Sequence, residues 1–324
     1  MEKITKVGFI GLLLVIFMIP GLSYAVEKEY PSRSISLIVP GAAGSVTDLI
    51  ARTFAEYASP LLGQPVVSVN RPGGGQLIGG NAVATSKPDG YTIGMQLLPS
   101  AIPEVYRYFQ EPPYTSADLK PISRIANFVG ILIIKSEAPW NNLKEVVEYV
   151  RKNPGMKFGI TARGGSPHLV MLTIEKVAKI KFVELPNGSD SDVVVQILGG
   201  HIPIGIVAYA SGKAQVEAGN LKVLAIYGGK RFELLPQVPT TGELGYVPGH
   251  YPCAGLFAPK GTPEAIVQKV SEAAKKVSET DSFRQKVVNL GFQPDFEDSN
   301  QFQDSLNRYK VDIGNFLKEL GYVK

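Results

Sequence analysis

Two short stretches combine small and hydroxyl-bearing residues in a way suited to holding an anion. In Val39-Pro40-Gly41-Ala42-Ala43-Gly44-Ser45-Val46-Thr47-Asp48, an apolar, strand-like segment (35–39) ends in small residues and runs into a helical pattern starting near Thr47 or Asp48. A helix start leaves backbone N–H groups without intrahelical partners, and the helix dipole adds positive potential there. Such a junction can receive a carboxylate or phosphate. Gly41 and Gly44 permit close approach of a ligand to the backbone. Ala42 and Ala43 keep the loop small, and Ser45 and Thr47 add hydroxyls. Taken alone, the same residues also describe an ordinary capped turn between strand and helix.

Thr161-Ala162-Arg163-Gly164-Gly165-Ser166-Pro167-His168 repeats the arrangement in the second half of the chain. Ser166 falls where an N-cap is expected and Pro167 at the first helical position. His168, in the first turn, reads either as a donor to the same anion or as a surface or capping residue. Two such junctions facing each other could clamp a carboxylate between backbone N–H groups and the hydroxyls of Ser45, Thr47 and Ser166. A third junction, Pro186-Asn187-Gly188-Ser189-Asp190, carries two acids, Asp190 and Asp192, which suit a helix start. The alternative for Asp190 is contact with an amino group on a ligand.

Other chemistry finds little support. Arg71-Pro72-Gly73-Gly74-Gly75-Gln76-Leu77-Ile78-Gly79 has the wrong glycine spacing and position for a dinucleotide fingerprint, so no cofactor is expected. The three histidines, His168, His201 and His250, lack metal-ligand spacing. No G-x-S-x-G elbow occurs, and the single cysteine, Cys253, excludes an intramolecular disulfide. These absences argue against an enzyme.

The elements that must position the two loops follow from periodicity. Strands are expected at 34–40, 65–70 and 91–97 around helices at 47–62 and 77–86, which predicts a largely parallel sheet covered by helices. Residues 99–121 read as irregular. The alternation restarts with a strand at 128–135, a helix ending at Asn153, strands at 157–161, 181–185, 203–207 and 221–227, and helices at 167–178 and 190–198. After a Pro- and Gly-rich stretch come a strand at 254–258 and helices at 263–278 (capped by Thr262), 282–290 and 300–320.

Residues 1–25 stand apart. Lys3 and Lys6 precede an apolar run (7–19) and a Ser23-Tyr24-Ala25 ending, the pattern of a secretory signal peptide cleaved after Ala25. Its removal takes away two lysines and one glutamate, lowering the formal charge from +4 to +3. That small excess, without a basic stripe, argues against nucleic acid as a partner. The remaining chain is long enough for two domains, expected at 26–127 plus 254–324 and at 128–253.

The chain resembles the periplasmic solute-binding subunits of tripartite tricarboxylate transporters, often called Bug receptors. The resemblance runs through Tyr30-Pro31, the 34–48 stretch, Asn70-Arg71-Pro72-Gly73 and Pro88-Asp89-Gly90-Tyr91-Thr92. It continues through Gly165-Ser166 with His168, Gly199-Gly200, Pro236-Gln237-Val238-Pro239-Thr240 and Ala258-Pro259-Lys260-Gly261-Thr262-Pro263. It implies a two-domain α/β fold of the type II periplasmic-binding kind, with the ligand in the cleft. It further implies a small organic acid, often a dicarboxylate, held at Ala42, Ala43, Ser45 and Thr47 and at Gly165, Ser166 and His168, with Asp48 fixing its loop. The implied partners are the large and small membrane permease subunits. Gly41 and Ser45 depart from the family, which usually has an aromatic and often a glycine there, and Asp190 stands where uncharged residues are common. Strands near 128–135 and 254–258 would form the hinge. Rival readings are a co-receptor presenting ligand to a membrane sensor kinase and, more remotely, a secreted hydrolase.

Overall fold

The structure, a computed structural model, describes residues 29–108, 111–227, 230–246 and 252–322. The signal-peptide segment lies outside the described residues. Among the described residues, no helix is long and apolar enough to cross a membrane.

The chain begins with the alternation read from its periodicity: β1 (Ile35–Val39), α1 (Val46–Leu62), β2 (Val66–Asn70), α2 (Leu77–Ala84) and β3 (Thr92–Leu97). A short α3 (Leu98–Ala101) leads towards β4 (Leu119–Phe128), which has no counterpart among the strands expected from periodicity. Pro121, Lys120, Ser123, Arg124 and Asn127 hide β4 from any apolar pattern. The polar residues are tolerated because each meets a partner. Ser123 pairs with Ser271 at 2.8 Å, and Arg124 bonds Asp295 (2.6 Å) and Glu297 (2.9 Å).

The second half supplies β5 (Gly130–Lys135), α4 (Leu143–Lys152), β6 (Lys157–Ile160), α5 (Ser166–Ala178), β7 (Val183–Pro186), α6 (Asp190–Leu198), β8 (Ile204–Ala208), α7 (Tyr209–Glu217) and β9 (Leu221–Tyr227). The chain then returns through β10 (Cys253–Pro259), α8 (Glu264–Ser278), α9 (Asp281–Asn289), β11 (Phe292–Glu297) and α10 (Ser299–Glu319). Two further elements escape the periodicity. α7 carries Gly212 and no clear apolar stripe. β11 is a short edge strand with Pro294, as an edge permits. Thr262 does not cap α8: its hydroxyl donates to Pro259 O at 2.8 Å, and Pro263 occupies the cap position.

The strands form two sheets. One has the order β11-β4-β10-β3-β1-β2, the other β7-β6-β8-β5-β9. Both are mixed rather than largely parallel, because β10 runs against β3 and β4, β11 runs against β4, and β5 runs against β8 and β9. Each sheet buries apolar side chains on both faces. On β5, Leu132 and Ile134 join the core with α4 and α5, while Ile131 and Ile133 join the one with α6, the period-2 alternation of a strand.

Register decides where the loops lie. Ala254 stands opposite Leu97, and Cys253 opposite Asn127, so the C-terminal ends of β1, β2, β3 and β4 share one edge of the first sheet. The chain leaves that edge at Phe128 and enters β5 at Gly130. There Gly130 stands opposite Ala208 and Tyr227, so the C-terminal ends of β6, β7, β8 and β9 line the edge where β5 begins. The loops after β1 and β6 therefore lie at the two sheet edges joined by the Phe128–Gly130 crossing. Carboxyl ends of strands are where open α/β sheets bind ligands.

Candidate ligand-binding site

The two junctions share one backbone design. Gly44 has φ 78° and Gly164 φ 77°, a left-handed conformation that glycine takes without strain. Each is followed by an extended N-cap, Ser45 at φ −67°, ψ 160° and Gly165 at φ −67°, ψ 164°. In each, the N–H of the left-handed glycine donates to the side chain four residues on: Gly44 to Asp48 Oδ2 at 2.9 Å, and Gly164 to His168 Nδ1 at 3.0 Å. Asp48 and His168 thus hold equivalent posts, each clasping its own loop.

The cap assignment for the second loop shifts by one residue. The first helical bond runs from Leu169 N–H to Gly165 O at 3.1 Å, which makes Gly165 the cap and puts Ser166 inside the first turn, where its hydroxyl caps nothing. In the first loop Ser45 does cap, its Oγ accepting from Asp48 N–H at 3.3 Å. α1 starts at Val46, slightly earlier than expected.

Asp48 is 2 % exposed and fully engaged. Oδ2 also accepts from Arg52 Nε at 2.9 Å, and Oδ1 from Asn70 Nδ2 at 2.9 Å. Asn70 Nδ2 donates as well to Gly41 O at 2.9 Å, so the end of β2 pins both ends of the loop. Burial works to raise the Asp48 carboxyl. The bonds from Arg52, Gly44 and Asn70 outweigh it and hold the group below the usual carboxylate range. Asp48 therefore fixes the loop and keeps its charge.

His168 is 1 % exposed and not a surface residue. Because Nδ1 accepts from Gly164, the ring proton sits on Nε2, 2.9 Å from Glu184 Oε2 on β7. Arg163 pairs with the other oxygen of that carboxylate. Burial lowers the His168 pKa and prevails over the pull of Glu184, keeping the ring neutral. Its ring nitrogens thus shape the second loop from within.

Asp190 is likewise turned to internal work. Ser189 caps α6, accepting from Asp192 N–H at 3.1 Å. Asp190 Oδ2 accepts from Ala208 N–H at 2.9 Å and Oδ1 from the Thr161 hydroxyl at 3.3 Å, joining the ends of β6 and β8 to α6. Burial raises its pKa.

What the loops leave available is donors. Ala42, Ala43 and Gly44 are exposed, and Ser45 is half-buried. Thr47 and Ser166 are largely buried beneath them. Among the described residues, no protein acceptor reaches the N–H of Val46, Thr47 or Ser166. Among the described residues, no group of three His, Cys, Asp or Glu side chains could hold a metal. Arg52 and Glu184 carry no sequence signal that singles them out, and the Asn70-Arg71-Pro72-Gly73 motif marks Asn70 without revealing Asp48 and Gly41 as its partners. The i, i+4 spacing of Gly44 with Asp48 and of Gly164 with His168 is the available signal for the clasps.

A family profile described as "Tripartite tricarboxylate transporter family receptor" matches residues 50–321. A UPF0065 protein of Bordetella pertussis is 31% identical over 318 residues, covering 95% of this chain and 96% of that one. The solved structure of periplasmic binding protein BugD superimposes with a TM-score of 0.77 at 28% identity, over 90% of this chain and 99% of that one. R. palustris Rpa4515 with adipate superimposes with a TM-score of 0.80 at 26% identity, over 90% and 99%. With matches of that extent in sequence and in two-domain architecture, the chain belongs to the tripartite tricarboxylate transporter receptor family, the Bug-type solute-binding proteins.

Proposed function

We propose that the protein is exported to the periplasm after cleavage at Ala25, captures a small dicarboxylate between its two lobes, and delivers it unconverted to the large and small membrane subunits of a tripartite transporter. The lobes are residues 26–127 with 254–324, and 128–253. They close on the ligand by bending where the chain passes between the sheets. The observation that carries this reading is the matched pair of glycine-led helix starts at Gly44 and Gly164, each at a sheet edge beside the crossing. Backbone donors at Ala42, Ala43 and Thr47, together with the Ser45 hydroxyl, would take one carboxylate, and backbone donors at Gly165 and Ser166 the other; the Ser45 N–H itself donates to Ala42 O at 3.0 Å within the loop. Asp48 and His168 hold the loops, and Asp190 braces the neighbouring junction. A structural relative solved with adipate supports a linear diacid as the ligand class.

Native mass spectrometry of protein purified from its host weighs any acid it carries. A thermal-shift panel of mono-, di- and tricarboxylates, aromatic acids and amino acids then ranks ligand classes. A ligand at about 100 times its Kd adds about 2.7 kcal/mol of stability. A panel without any shift removes the carboxylate reading, and turnover of a bound acid would replace a receptor with an enzyme.

A further inference from the structure

The second loop is held from outside its own lobe. α10 starts on the first lobe, where the Ser299 hydroxyl donates to Pro121 O at 2.7 Å and Lys310 Nζ bonds Glu104 at 3.0 Å. The Phe302 ring lies 5.3 Å from that of Phe257 on β10. The same helix ends on the second lobe. Phe316 and Leu320 pack against the core under α4 and α5. Lys176 of α5 pairs with Glu319 and lies over the Phe316 ring at 5.4 Å. Tyr322, just past the helix end, meets His168 edge-on, with ring centroids 6.4 Å apart and planes at 84°. At 1.5 Å per residue the 21 residues of α10 span about 31 Å, enough to bridge both lobes.

His168 is thus bounded by Gly164, by Glu184 and by Tyr322. We propose that Tyr322 is a positioning residue for the ligand loop: by walling in His168 it keeps the imidazole accepting the Gly164 N–H, so the end of α10 sets the shape of residues 161–168 and ties that shape to the relative position of the lobes. This rests on the reading of that loop as one jaw of the ligand site. The physical reason is that a buried neutral imidazole keeps one orientation only while its alternatives are closed. Without the tyrosine ring, the imidazole gains a solvated rotamer, and Gly164 N–H bonds water instead. The charged and titratable groups around the ring are Glu184, Arg163 and Glu175, with Lys181 on Glu175 and Tyr322 itself. A second proton on the ring would go to Nδ1, setting donor against donor at Gly164. Acid therefore opens the same clasp.

The test is amide hydrogen exchange of peptides covering 161–168 in the ligand-free protein, alongside adipate affinity in the same variants. Tyr322→Ala should speed exchange there about threefold to tenfold, the range an edge-on aromatic contact supports, while Tyr322→Phe stays at the wild-type rate. Lowering the pH below the ordinary imidazole range until the buried His168 ring takes up its second proton, after correction for intrinsic exchange, should loosen the wild-type loop. It should leave His168→Asn flat, because the amide oxygen accepts from Gly164 without titrating. Unchanged protection in a folded Tyr322→Ala variant overturns the proposal. Faster exchange with unchanged adipate affinity keeps the α10 link and overturns the jaw. If the wild type binds no dicarboxylate, the proposed ligand class fails, and the exchange arm still decides the role of Tyr322.

Discussion

Asp48→Asn tests the central claim that one carboxylate organises the first loop. The native group accepts from Gly44 N–H, Arg52 Nε and Asn70 Nδ2, each at 2.9 Å. An amide retains one acceptor oxygen and turns an NH2 towards the remaining donors. Asn70 cannot adapt by flipping, since its own amide already serves Gly41 O and accepts from Arg52. A hydrogen bond to a charged group contributes about 1.5–3 kcal/mol. The half-exposed Arg52 adds at most about 1 kcal/mol after solvent screening, so the variant should lose about 2–4 kcal/mol. Urea unfolding followed by circular dichroism measures this, with the slope expected to stay constant. The pH dependence supplies a second check. The carboxyl lies below its ordinary value of 3.8 in the folded protein, so on acidification the unfolded chain takes up the proton first. The advantage of the wild type is complete above that pH and lost as pH falls through the folded value. A difference under about 0.5 kcal/mol at pH 7, or one that does not shrink in acid, refutes the anchoring role.

Three further outcomes follow from the same geometry. A Cβ added at Gly41 would collide with Ser45 Oγ, so Gly41→Ala should cost the Ser45 cap, about 1 kcal/mol. Ser45→Ala alone should cost a similar amount but little more when added to Gly41→Ala, and strictly additive losses in a double-mutant cycle would sink this coupling. Asp190→Asn should stay within about 1 kcal/mol of wild type because relief of the buried charge offsets the weaker bonds, whereas Asp190→Ala should lose more by orphaning Ala208 N–H. Retained stability with selective loss of an amine-bearing acid in Asp190→Asn would instead place this carboxylate on the ligand. Cys253, fully buried with its thiol pushed up to about 12, should resist iodoacetamide at pH 8 until urea is added. Intact-mass spectrometry reads this directly, and prompt alkylation of native protein would mean that β10 opens locally.

Much of the architecture was legible in the order of residues because the relevant forces are local. Apolar repeats of period 2 and 3.6 marked β1, α1, β3, α6 and β9, and glycines followed by hydroxyl or acidic residues marked the helix starts. β4, β11 and α7 were not legible. Their polar or glycine residues make sense only beside partners distant in the chain, such as Ser271 for Ser123 and the β11 acids for Arg124. Gly212 is explained by Ile131, whose side chain would contact a Cβ there.

At the site the division is the same. Local residue order is enough to end two strands and open two helices at small-residue junctions, since strand and helix propensity and capping chemistry act within a few residues. Strand direction, which depends on pairing between distant segments, brings both junctions to the sheet edges flanking the Phe128–Gly130 crossing. Tertiary packing also turned Asp48, His168 and Asp190 into internal braces. A carboxylate or imidazole in the first turn of a helix can face a ligand or its own loop with equal local cost. The choice is made by Asn70, Glu184 and Ala208, which reach these groups through the fold.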